Sequence, residues 1–380
     1  MIEVAEYAVE LRLNGQLIGD VRRLAQGLTW ARRRTKCGVD TIDFTLNDVL
    51  FAEWCAERGT TIVEMLKPLA LDCRVIRNGV PVVGGFLATM PAYSPNGTSA
   101  NLALSFDGYI NYLAGVYISP VGTQTGRMGT LIQNWITMAD TRARNAGKAY
   151  GFIAGHIDTM ASVEQTFDNY KTVKDVIIER CDNSTGAGLF DVYFDVDRAY
   201  NIYKDQNFGE IIQDYTVRYP ASLNGVSATS ISASEVDGFA STVIAVGAGE
   251  ISSDASKNTA ITTKITDSAK VAEYGYYEDM FQESSISKMD SLTRNAQTRL
   301  KNDGDMRWQP EITLTGRQVA PAPLASGKIW LGDTITINNA ADVTGTTNGQ
   351  FRVNELVVKV GATNAEIITP TLERRDGLSG

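Results

Sequence analysis

The chain has 380 residues, 43% of them hydrophobic and 21% charged, which points to two or three domains whose cores need no disulfide or metal staple. A net charge of −9 argues against a nucleic-acid coat, because phosphate binding needs a clustered basic surface. No apolar run reaches the ~20 residues of a bilayer span. The opening MIEVAEYAVELRLNG lacks the basic and apolar regions of a signal peptide, so folding in a cytoplasm is expected.

In chain order, residues 4–13 alternate between apolar and polar, Asn14-Gly15 turns the chain, and 16–21 resumes an extended pattern. An NG pair between β-prone runs is a hairpin signal. Ile42, Phe44 and Leu46 share one strand face at period two. Residues 52–67 are helix-friendly but broken by Gly59-Thr60-Thr61, which predicts a short helix, a turn, and another short helix or loop. A second hairpin turns at Asn78-Gly79, and a strand follows over 99–106. Short strands at this spacing predict a small antiparallel barrel or sandwich over 1–120.

The period then changes. Thr130 is placed to cap a helix running to about Asn145, with Leu131, Trp135, Met138 and Ala139 on one face and Gly147 as its stop. A second helix, about 171–182, uses Val173, Val176, Ile177 and Cys181, and Gly186 and Gly188 end it. Residues 189–196 alternate cleanly and turn at Asp197-Arg198 into a strand over 200–204. This predicts an α+β helix–hairpin domain over 121–210.

From 211 the chain reads as extended. The tract 221–271 is rich in Ser, Thr, Ala and Gly, a linker bias, yet Val243, Ile244, Val246 and Ile251 argue for strand pieces, with an exposed loop at 254–258. A helix capped by Ser284 or Ser285 carries Ile286, Met289, Leu292, Ala296 and Leu300 and closes at Asp303-Gly304. Strands are expected over 311–315, 328–331, 334–338, 351–360 and 365–371, the last two joined by a turn at 361–364. The predicted fold is α+β and mainly β. Two small barrel-like domains, 1–120 and a C-terminal 211–380 with one helix near 285–303, flank the helix–hairpin domain.

Chemistry is sparse. The single histidine, His156, has no GxSxG nucleophile elbow and no HExxH beside it. Asp191, Asp195 and Asp197 share a strand face that suits Ca²⁺ or plain solvation; with no EF-hand spacing, solvation is the expectation. Glycosidase acids cannot be picked from 44 Asp and Glu, because their defining separation is spatial. Arg32-Arg33-Arg34 with Lys36 is expected to pair with acidic residues of a neighbouring subunit, ahead of a solvated edge or a nucleic-acid contact. Tyr274, Tyr276, Tyr277 and Phe281 are expected in a core or subunit contact, ahead of stacking a sugar or base. Cys37, Cys55, Cys73 and Cys181 form no CxxC pair and are expected as small buried hydrophobes. No catalytic, cofactor-binding or metal-binding residue is assigned.

Taken in order, the blocks resemble the baseplate hub family of phage tails, often known as minor tail proteins. The first part is carried by ELRLNGQLIGDVRRL, TIDFTLND, DCRVIRNGVPVVGGFLATMP and ALSFDGYINYLAGVYI. TVKDVIIERCDNSTGAGLFDVYFDVDRAYNIY carries the second, and AEYGYYED, LKNDGD, GDTITI and the final hairpin carry the third. The resemblance implies a homotrimer whose doubled barrels form a pseudo-six-fold ring between the tail tube and a three-fold tip. Each subunit interface would bury on the order of 2,000 Å² or more. Implied partners are distal tail or tail tube proteins, tape-measure protein, and central fibre or tip proteins. DNA would be present only in transit, and an acidic wall suits passage because it does not hold DNA. The hub blocks account for the whole length, so no added hydrolase domain is expected. Rival readings are a β-rich receptor- or carbohydrate-binding tip protein, for which 221–271 is the candidate segment, and a cell-wall hydrolase.

Overall fold

The computed structural model describes residues 5–96, 99–167, 170–183, 190–204, 208–209, 211–219, 226–228, 230–235, 239–250, 259–284, 286, 288–303, 308–315, 329–340 and 347–374. The NG turns form as their residue types require. Asn14 and Gly15 have φ of 50° and 84°, and Asn78 and Gly79 have 51° and 77°, the left-handed pair that matches strand twist in a two-residue hairpin. They join Tyr7–Leu13 to Gln16–Asp20 and Leu71–Arg77 to Val80–Leu87. Ile42, Phe44 and Leu46 are buried on one face of Thr41–Asn47. Asn47 caps the helix Asp48–Ala56, and a Thr61–Glu64 capping box starts the short helix Ile62–Met65.

The N-terminal strands run outward from the centre as Gln26–Arg33, Thr41–Asn47, Ser99–Gly108, Val80–Leu87, Leu71–Arg77, Tyr7–Leu13 and Gln16–Asp20. On its other side Gln26–Arg33 pairs antiparallel with Gly349–Val360, Val358 facing Trp30 and Glu355 facing Arg33. Gly349–Val360 continues into Thr334–Asn339 and Ile211–Tyr219, and also pairs with Glu366–Arg374. One 15-stranded sheet therefore includes both β regions. This corrects the expectation of two barrels: among the described residues no barrel closes, and the β regions lie edge to edge. The physical reason is the alternation of Leu28 and Trp30, both fully buried, on a strand that would otherwise be a costly open edge. One apolar core spans both regions, and Trp30 meets Trp330 with ring centroids 6.3 Å apart.

The helix–hairpin unit has its own core. Met128–Asn145 buries Leu131, Trp135 and Ala139 against Val173–Asn183 and the hairpin Phe190–Phe194 with Ala199–Lys204. The first helix begins two residues before the expected cap, so Thr130 lies in its first turn; Gly147, at φ 99°, follows its end. Ile153–Ile157 adds a parallel edge strand to the hairpin. Gly186 and Gly188 lie outside the described residues.

A third, small unit stacks the helix Met289–Asp303 on a sheet of Thr262–Thr266, Thr242–Val246 and Glu278–Gln282, around Val243, Ala245, Leu292, Ala296 and Leu300. Part of the Ser/Thr tract is thus strand, with Val243, Ile244 and Val246 in Thr242–Val246; Ile251 and 254–258 lie outside the described residues. The helix starts after the expected Ser284 or Ser285 cap. Ile286 is buried ahead of it, and Met289 is exposed rather than part of its stripe.

Candidate functional site

The arginine run and the aspartate strand, which the sequence placed on separate surfaces, meet inside the molecule. Arg34 closes on Asp191 with Nε at 3.2 Å and Nη2 at 3.0 Å from the carboxylate oxygens. Its Nη1 donates to Asn354 Oδ1 at 2.6 Å and Glu373 Oε2 at 3.2 Å. The Arg34 and Asp191 side chains are 0% and 3% exposed. Arg352 approaches the same carboxylate at 3.4 Å and donates to the Phe208 carbonyl at 2.8 Å. Burial disfavours the Arg34 charge, but Asp191 and then Glu373 more than offset it and hold its pKa above the ordinary arginine value. Arg32 is buried too. It donates to the Phe194 carbonyl at 3.0 Å, pairs with Asp40 at 3.1 Å and lies over the Tyr193 ring at 4.4 Å. Burial pushes the Asp40 carboxyl up despite Arg32 beside it. Arg33 points the other way and binds Glu355, its cross-strand partner, at 2.5 Å. The side chain of Lys36 lies outside the described residues.

Both sequence expectations are corrected here. Arg32, Arg33 and Arg34 pair within the chain instead of with a neighbouring subunit, and Asp191 is a buried ion-pair partner instead of a solvated residue. The fork geometry of arginine is what lets the one carboxylate of Asp191 take both Arg34 and Arg352 in so dry a place. Asp197 is exposed and holds Arg74 at 2.8 Å. Asp195 accepts from the backbone of Asp197 and Ala199 at the hairpin turn.

A second clasp sits at the turn end of the same hairpin. Arg198, at φ 66°, reaches back to the buried Asp72 and to the Tyr150 carbonyl and lies over the Tyr109 ring at 5.0 Å. Burial raises the Asp72 pKa although Arg198 opposes it. The hairpin 190–204 is thus held to the β body at both ends. A third buried pair, Arg77 with Glu366 at 2.7 and 2.9 Å, ties the two β regions together and is joined by the Tyr7 hydroxyl. Sequence reasoning missed Asp72, Arg77, Arg352 and Glu366, because single charges scattered through strands carry no local signal.

Beside the Arg198 clasp lies a cleft of about 590 Å³ whose lining includes Leu69, Ala70, Tyr112, Ala146, Lys148 and Tyr150. Elsewhere the molecule offers little chemistry. His156 is exposed, 2.8 Å from Asp158 and stacked on Tyr203. Among the described residues no group of three or more His, Cys, Asp or Glu is placed to hold a metal ion. Cys55, Cys73 and Cys181 are buried as expected, whereas Cys37 is exposed. Of the aromatic group, Phe281 packs against the small unit's core, but Tyr276 and Tyr277 are 52% and 53% exposed and Tyr274 is also exposed. A core role is therefore overturned for the tyrosines. No described helix is long and apolar enough to cross a membrane.

Solved structures share this fold end to end. The 43 kDa tail protein of prophage MuSo2 from Shewanella oneidensis superposes with a TM-score of 0.66 at 12% identity, over 98% of this chain and 100% of that one. The tail protein from Neisseria meningitidis MC58 gives 0.64 at 12% identity, over 98% and 97%. Prophage tail protein gp18 from Listeria monocytogenes EGD-e gives 0.56 at 11% identity, over 97% and 95%. No protein-family model and no curated protein matches the chain by sequence. The fold is shared with these prophage and bacterial tail proteins, the broad class that the ordered sequence blocks resemble.

Proposed function

We propose that this chain is a structural hub at the distal end of a phage tail, resident in the virion. In this reading three copies form a pseudo-six-fold ring that joins the six-fold tube to the three-fold tip. The ring frames the channel for tape-measure protein and DNA. The observation that carries the reading is the end-to-end likeness to tail proteins, over 98% of this chain and 100% of the Shewanella one. The clasps support it. A body that transmits load between tube and tip needs fixed angles between its parts, and buried arginine forks give direction as well as contact. The two β regions, joined edge to edge, supply the doubled unit that a three-fold ring needs to meet a six-fold tube.

A particle reconstruction tests this directly. Three copies on the tail axis beneath the tube are expected. A peripheral position, or a chain that binds glycan as a monomer, would sink the hub in favour of a receptor- or carbohydrate-binding tip, the reading that the exposed Tyr276 and Tyr277 favour second. Cell-wall clearance by the purified chain alone would overturn the non-enzymatic assignment.

A further inference from the structure

The small unit hangs from one point of the β body. The strands on either side of it in the chain, Ser230–Glu235 and Trp308–Thr315, pair antiparallel, and Glu235 faces Trp308 at the end where the unit is inserted. Its core, around Val243, Ala245, Leu292, Ala296 and Leu300, shares no described member with the core of the β body or of the helix–hairpin unit. A unit with its own core, carried on two adjacent strand ends, has a pivot there, because turning about that point breaks none of its internal packing.

Against the helix–hairpin unit it is fastened by charge. Arg180, in the last turn of Val173–Asn183, gives Nη1 to Glu283 Oε1 at 3.0 Å. Both side chains are largely out of water, at 5% and 14% exposure. Glu283 is set in place by its own unit. Its backbone N–H donates to the Val246 carbonyl at 2.8 Å, its carbonyl accepts from Ile286 at 3.0 Å, and its second carboxylate oxygen accepts from Asn295 Nδ2 at 3.1 Å. Arg180 likewise has a carboxylate on its own helix, Glu179 at 3.6 Å, which Lys171 also binds at 2.7 Å. Parting a buried pair is costly chiefly because each charge is left without a partner. Here each half keeps one, Glu283 with Asn295 and Arg180 with Glu179, so the contact is built to open and close.

We infer that the small unit, 239–303, is an arm that pivots at the paired ends Glu235 and Trp308, and that the Arg180–Glu283 ion pair is the latch that holds it against the helix–hairpin unit. Latched, the arm presents Tyr276, Tyr277 and Met280, which are 52%, 53% and 64% exposed, in one direction. Released, it carries them to another while both cores stay intact. The inference concerns motion within one chain and stands apart from the hub reading above.

Pulsed electron spin resonance distances on the full-length chain test it. Spin labels are attached through Asp175→Cys and Glu273→Cys, exposed positions on the helix–hairpin unit and the small unit, with the exposed Cys37 replaced by serine. Glu283→Gln removes one charge of the latch and keeps an acceptor for Asn295; Arg180→Gln removes the other. Each should raise the share of molecules outside the latched distance at least fivefold. Amide hydrogen exchange across Thr242–Val246 and Met289–Asp303 should stay as slow as in the parent chain, since the arm moves as a body. Arg180→Lys should keep most of the latched population, because a cation remains. Unchanged distances in both Glu283→Gln and Arg180→Gln would show that other contacts fix the unit, and would overturn the inference. Lost protection within the unit would overturn it too, because the ion pair would then hold the unit's fold and not its position.

Discussion

Asp191 shows how much a single side chain decides here. It is one carboxylate facing Arg34 and Arg352, with every partner buried. A buried pair is expensive to form, and removing one member leaves an uncompensated charge that costs about 3–5 kcal/mol. Asp191→Ala should therefore lower unfolding stability by that order, read from urea or thermal melts. Replacing both Asp191 and Arg34 by apolar residues of similar volume should recover part of the loss, because the Arg34 desolvation cost disappears while Arg352 and Glu373 each still lose one partner. Equal loss in the single and double variants would show that the pair's worth lies in packing alone. Alternation made Asp191 visible in the sequence as the polar face of a strand. Its burial was not visible, because the arginines that cover it come from residues 34 and 352.

At the scale of elements, the decisive contact is the pairing of Gln26–Arg33 with Gly349–Val360. Each strand was legible from period-two alternation, and the NG hairpins from their turn chemistry. Their mutual pairing was not, since alternation fixes which face is apolar and leaves open which edge meets which. The same limit explains the barrel expectation: eight or so short strands with tight turns look alike whether the sheet closes on itself or continues into another region. A chain cut after residue 120 would lose the strand covering Gln26–Arg33 and bare Trp30, which is fully buried and paired with Trp330. We expect that piece to aggregate and to show no cooperative melt. A sharp transition in the isolated 1–120 piece would mean that the N-terminal β region is thermodynamically independent.

For the whole molecule, buried tyrosines give a global probe. Burial pushes the Tyr109 and Tyr193 hydroxyls up from the ordinary value of 10.0 to about 12. Tyr109 lies under the Arg198 clasp and Tyr193 under Arg32, so each reports a junction between the hairpin and the β body. The folded value lies above the unfolded one. The linked stability is therefore complete below pH 10.0 and lost as the pH rises toward 12. Unfolding midpoints should hold steady up to that window and then fall. The tyrosinate absorbance of these two rings should appear only with unfolding. Its appearance with no loss of stability would show that the junctions open to hydroxide while the fold persists.

The sequence by itself determined the mainly β class, the NG turns, the two helices and hairpin of the middle unit, and the order of blocks that resembles a tail hub. These follow from interactions within a few residues, where period and turn chemistry act. Only the tertiary structure decided that the β regions share one sheet and one core, that the arginine run faces inward, and that three tyrosines face outward. Those outcomes depend on partners hundreds of residues apart, such as Arg34 with Glu373 and Tyr7 with Glu366. Which of two buried or exposed fates a polar strand residue meets is settled by what packs over it, and no local pattern records that.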